Sequence, residues 1–193
     1  MGPLEVIGPT NGRLKVRGAC IVMKNVSKIR VMAVTSSDNK RRKLRFASID
    51  DALIEAERLV AAEREGRLDC VGNWKLGQAL GHLATWASFA FDGYPPEVRA
   101  PLPVRVILRM MRGTVLTKGM MTGVRIGKLP GGTVGLDELD ADEGLRRFCA
   151  ALERLRSTPP TIPNPVFGPL THEQWIQLNL RHAELHLSFQ CPR

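Results

Sequence analysis

The chain has 193 residues, 44% of them hydrophobic and 24% charged, with a formal net charge of +9. That length supports one domain with a real core, and the composition excludes wholesale disorder. The longest uncharged apolar run, 76–91, contains His82 and Gln78 and falls short of the roughly 20 residues of a membrane span, so a buried helix and no membrane contact are expected.

Cysteines at 20, 70, 149 and 191 form no C-x-x-C pair. That spacing fits reduced thiols in a cytoplasmic chain rather than a disulfide scaffold or zinc ribbon.

The positive charge sits at one end. Of the 28 Lys and Arg, eleven lie within residues 1–46, beside only two acids, Glu5 and Asp38. Residues 47–193 balance, with seventeen basic and seventeen acidic groups. The expected organisation is a basic, disordered arm over 1–43 and a helical domain over 44–193. The arm lacks interleaved aromatics and the apolar stretch of a secretory signal, so nucleic-acid binding is disfavoured. It reads as a solvated extension or as residues ahead of a later start at Met23 or Met32.

Helix signals then follow in chain order. Ser48 is an N-cap with Asp50 and Asp51 in the first turn, and Gly66 closes that helix. Asn73 is the expected cap of a second helix from Trp74 to about Phe91, stopped by Asp92-Gly93-Tyr94-Pro95-Pro96. An irregular connection to Leu139 holds one apolar-basic stretch, 104–116, as a candidate helix with Arg105, Arg109 and Arg112 on one face. Gly123 to Gly135 is too rich in glycine to be regular, and its Gly127-Lys128 lacks the spacing of a phosphate loop.

Asp140 with Glu143 opens a third helix whose stripe includes Leu145, Phe148, Leu152 and Leu155. After a proline-rich loop, Thr171 with Gln174 caps a last helix to about Phe189. Four helices and almost no strand pattern predict an all-α fold. The short hinge at 66–73 makes the first two helices neighbours, and the long interval before the third implies a crossover.

Three histidines stand on apolar stripes. His182 and His186 are one turn apart on the last helix, a spacing that lets both imidazoles reach one ion. His82 lies mid-way along the most apolar helix. Pointing inward together they would form a three-His site; the alternative is a set of core histidines hydrogen-bonded in place. His172 reads as an ordinary first-turn polar residue. Glu184, two residues after His182, faces away from the pair, so no metalloprotease His-Glu-x-x-His is present. Gln78 and Asn179, each one turn before a histidine, are candidate second partners of the site.

The stretch Asn73-Trp74-Lys75-Leu76-Gly77-Gln78-Ala79-Leu80-Gly81-His82-Leu83 carries a resemblance, together with Asp92-Gly93-Tyr94-Pro95-Pro96, Phe167-Gly168-Pro169-Leu170-Thr171 and Arg181-His182-x-x-x-His186. It resembles a bacterial family of unknown function similar to the DinB/YfiT-like four-helix bundles, over roughly residues 44–191. The resemblance implies an up-down bundle with a long crossover between helices two and three, often a homodimer. It also implies a divalent metal on His82, His182 and His186, with relatives that include thiol-dependent transferases and isomerases.

The expectation is therefore a metal-dependent enzyme, a transferase or hydrolase acting on an unknown small molecule. Its ion is zinc, nickel or manganese, and Trp86, Tyr94 and Asn179 line the pocket. The competing expectation is a non-catalytic dimeric bundle with a structural metal or none.

Overall fold

The computed structural model describes residues 41–98, 102–126 and 133–193, together with the short strand Ile29–Val31. The rest of the predicted arm and the Gly127-Lys128 pair lie outside the described residues.

Capping chemistry sets the long helices. In α1 (Ile49–Arg64), the Ser48 hydroxyl accepts from the Asp51 N–H and the Asp51 carboxylate returns the bond to the Ser48 N–H. This satisfies two of the donors that a helix start leaves open. α5 (Ala141–Ser157) starts on Asp140, which accepts from Glu143 N at 2.7 Å, and α6 (His172–Leu187) starts on the Thr171–Gln174 box. α2 (Leu76–Asp92) begins two residues later than Trp74, with Lys75 as its cap residue rather than Asn73. There the Gln78 side chain accepts from the Lys75 N–H at 3.1 Å.

The connection between α2 and α5 is more structured than its composition predicts. A single 3-10 turn (Pro96–Val98) is followed by α3 (Leu102–Met110) and α4 (Arg112–Lys118). The expected helix over 104–116 is thus two helices, broken at Met111. The break lets Leu116 enter the core while α3 buries none of its residues. Arg112 donates to the Pro169 carbonyl at 3.1 Å, and the Arg109 guanidinium lies against Gly168, whose φ is +76°. Both arginines therefore hold the loop that leads into α6.

Strands appear where none is predicted. β1 (Ile29–Val31) pairs antiparallel with β3 (Val124–Ile126), and β2 (Leu68–Cys70) with β4 (Gln190–Pro192). The second pair turns the predicted bare hinge at 66–73 into a tie between the α1–α2 connection and the end of the chain. β1 lies inside the predicted arm, and so does Arg42, whose N–H donates to the Ser188 carbonyl at 2.9 Å. The protein is mostly helical, with six α-helices and two two-stranded sheets among the described residues.

One continuous core joins Ala52, Ala56 and Leu59 of α1 with Leu80 and Leu83 of α2, Phe148 and Leu152 of α5, and Trp175 and Leu187 of α6. α2 packs chiefly on α5, with α1 touching both α5 and α6. The α2–α5 approach is backbone to backbone. A Cβ on Gly77 would collide with the Leu139 and Asp140 carbonyls, and one on Gly144 would meet the Gly77 carbonyl at 2.8 Å. That close approach fixes where His82, five residues beyond Gly77, stands relative to α6. No described helix is long and apolar enough to cross a membrane.

Candidate metal centre

α2 carries His82 into the interior, where the residue is 2% exposed; α6 presents His182 and His186, both partly buried. Among the described residues they form a group whose ligand atoms lie within 4.8 Å of one another. His182 Nε2 is 3.2 Å from His82 Nε2 and 3.0 Å from His186 Nε2.

The proton bookkeeping of this cluster does not close without a further cation. His82 Nδ1 lies 2.7 Å from the Val134 carbonyl oxygen. A carbonyl only accepts, so the ring proton is on Nδ1 and Nε2 holds a lone pair. One proton on His182 Nε2 can serve either neighbouring nitrogen in good geometry, not both. If His186 supplies the proton instead, His182 and His82 confront each other lone pair to lone pair. Each arrangement leaves one close N···N contact without a proton in line.

An extra proton would relieve it, but burial opposes the charge. Desolvation pushes the His82 imidazole down to about 4, against the raising influence of its Val134 bond. Burial likewise holds His182 and His186 well below the usual imidazole value, each lowered further by the other histidines.

A divalent ion fits this donor set. Nitrogens placed tetrahedrally around zinc at about 2.0–2.1 Å stand about 3.3 Å apart, close to the two separations found here. The Val134 carbonyl supplies the outer partner that fixes ring orientation and tautomer in histidine metal sites.

Aromatic rings enclose the imidazoles. Trp74 stacks on His186, with centroids 4.8 Å apart and planes 12° apart, and leans on His82 at 4.9 Å. Trp86 stands edge-on to His182 at 5.9 Å and near His82 at 6.0 Å; its buried Nε1 has no hydrogen-bond partner. Tyr94 lies one ring further out, 6.2 Å from Trp86, with Asn164 donating to its hydroxyl at 3.5 Å. Trp74 and Val134 are not among the site residues expected from the sequence. Trp74 lies inside the quoted motif beside His82, a proximity signal that helical spacing does not use, whereas Val134 acts through a carbonyl that no residue type marks.

The other expected partners face elsewhere. Gln78 caps α2, and the Asn179 amide donates to the Trp175 carbonyl at 2.9 Å. His172 Nε2 donates to the Leu155 carbonyl at 2.6 Å, joining α6 to the end of α5. Glu184 accepts from the Phe46 N–H at 2.6 Å, on the side of α6 away from the histidines.

Fold and site together describe a mostly helical protein with a buried three-histidine cluster able to hold a metal ion. The chain matches the family described as a protein of unknown function, DUF1569, over residues 38–193, and it belongs to that family. No curated protein and no solved structure matches it.

Proposed function

We propose that the protein is a divalent-metal-dependent enzyme of the DinB-like kind, with His82, His182 and His186 as its ligands. The observation that carries this reading is the unsatisfied nitrogen cluster, with His82 Nδ1 on the Val134 carbonyl and three ring nitrogens turned toward one another. Three protein ligands are the donor count of catalytic sites, whereas structural zinc sites are closed by four. An ion held there by His82, His182 and His186 would supply Lewis acidity, favouring the deprotonated form of a water or thiol that meets a small electrophile.

The protein's own groups prepare that chemistry. Val134 sets the His82 tautomer, and Trp74 holds the His186 ring in place by stacking. Trp86 brings an unpartnered N–H donor beside the cluster. A transferase using a low-molecular-weight thiol, or a hydrolase, fits this set, and the proposed fold is the four-helix bundle of that superfamily.

The test is metal analysis of the purified chain, followed by assay of the metal-loaded protein for thiol consumption by electrophilic substrates. One ion per chain, lost with chelator and restored by zinc, nickel or manganese, supports the site. Loss of turnover with the ion supports the enzyme. A chain that takes up none of the three at neutral pH would leave three core histidines and no enzyme.

A further inference from the structure

Arg42 and Arg181 each bury an Nε–H that has no hydrogen-bond partner, and both line the same cleft. The cleft, about 450 Å³, runs between the segment 41–44, the end of α4 and the C-terminal half of α6. Its volume falls within the range of small-molecule sites, about 300–1,000 Å³. Successive helical positions are about 100° apart, so Arg181 and Glu184 project from the side of α6 opposite His182 and His186. The cleft is therefore distinct from the metal centre.

Charge in the cleft is strongly one-sided. Among the described residues, Arg41, Arg42, Lys43, Lys118 and Arg181 line it against a single acid, Glu184. Glu184 is already engaged by Arg181 at 2.8 Å and by the Phe46 N–H. The Arg42 Nη2 is held by Glu55 at 2.5 Å and by the Leu187 carbonyl at 3.2 Å, which leaves its Nε–H as the open donor. A buried donor without a partner costs about 1–3 kcal/mol, and both of these belong to arginines that line the cleft.

We propose that this cleft binds a small molecule bearing a phosphate group, with Arg42 and Arg181 donating to its oxygens and the exposed Lys43 and Lys118 beside it. A phosphate offers three acceptor oxygens and close to two charges, which matches two arginine donors and two ammonium groups; a carboxylate supplies fewer of both. A bilayer headgroup is a poor occupant, since the arginines line a cleft rather than a flat face.

The test titrates the full chain with inorganic phosphate in chloride buffer at constant ionic strength, read by calorimetry and by thermal shift. Saturable binding beyond the effect of chloride is expected, and it should persist unchanged after chelator treatment. The double variant K43E/K118E, at two exposed positions, should keep its helical signal and bind about tenfold more weakly or worse. Four results would each overturn the proposal. One is phosphate acting no better than chloride, another is affinity undiminished in K43E/K118E, and a third is affinity lost with the metal. The fourth is attachment to phosphatidylglycerol vesicles without uptake of inorganic phosphate.

Discussion

Arg181 and Glu184 form a buried ion pair, 2.8 Å apart, that grips the backbone of Phe46 from both sides. Glu184 accepts the Phe46 N–H while Arg181 donates to the Phe46 carbonyl. The pair thereby fastens the segment leading into α1 to the outer face of α6. Breaking such a pair leaves a buried charge uncompensated, so Arg181→Ala should cost about 3–5 kcal/mol in urea unfolding. Arg146→Ala removes an arginine whose side chain is 69% exposed and pairs with Glu143 on the helix surface; its cost should stay within about 0.5 kcal/mol. Equal costs would show that the pair adds nothing beyond a surface bridge.

The second prediction concerns the α2–α5 contact. Gly77→Ala would drive a methyl into the Leu139 and Asp140 carbonyls, which are backbone and cannot swing aside. A loss of about 1–3 kcal/mol is expected, as for other overpacked sites. Gly113→Ala, in α4 with nothing near the added carbon, should gain up to about 1 kcal/mol from helix propensity. Thermal melts of the two variants should therefore move in opposite directions.

These contacts show how much was legible in the sequence. Ser48, Asp140 and Thr171 mark helix starts because a cap is a local bond between residues three apart. α2 is misread by two residues because Asn73 is a good cap by type, while Lys75 is stabilised instead by Gln78. β2 and β4 are invisible to alternation: each is three residues long, and they pair across most of the chain. Helical spacing puts the three histidines on inward stripes, but the meeting of their Nε2 atoms depends on tertiary packing. For the same reason Gln78 and Asn179, each one turn from a histidine, bond to backbone groups instead.

A third prediction follows from the lowered imidazole values. The folded-state pKa of His82 is depressed to about 4, below its ordinary value of 6.5, so in the metal-free folded protein this imidazole stays neutral where the unfolded chain takes up a proton. Stability from this group is fully present above pH 6.5 and falls as pH drops from 6.5 toward 4. Denaturant midpoints of the chelated protein should decline over that window. In His82→Ala the decline should be shallower. A midpoint that rises on acidification would mean the cluster is charged when folded.

Occupancy supplies the fourth prediction. His82→Ala, His182→Ala and His186→Ala should each reduce bound metal sharply, while His172→Ala, which loses a bond to the Leu155 carbonyl away from the cluster, should retain it. Protons compete poorly for ligands with depressed pKa values, so metal loss on acidification should set in below pH 6. Elemental analysis after dialysis across that range checks both points. Equal loss in His172→Ala would indicate adventitious binding to imidazole.

His82 and His182 are separated by 100 positions along the chain, yet their ring nitrogens stand 3.2 Å apart. An ion shared between them would be a removable cross-link closing a long loop. Closing one of that length permanently, as a disulfide does, removes unfolded-chain entropy worth about 4.7 kcal/mol in the simplest account. Metal supply would then govern more than chemistry: it would decide how often α2 and α6 part company, and so how long the chain outlasts a protease.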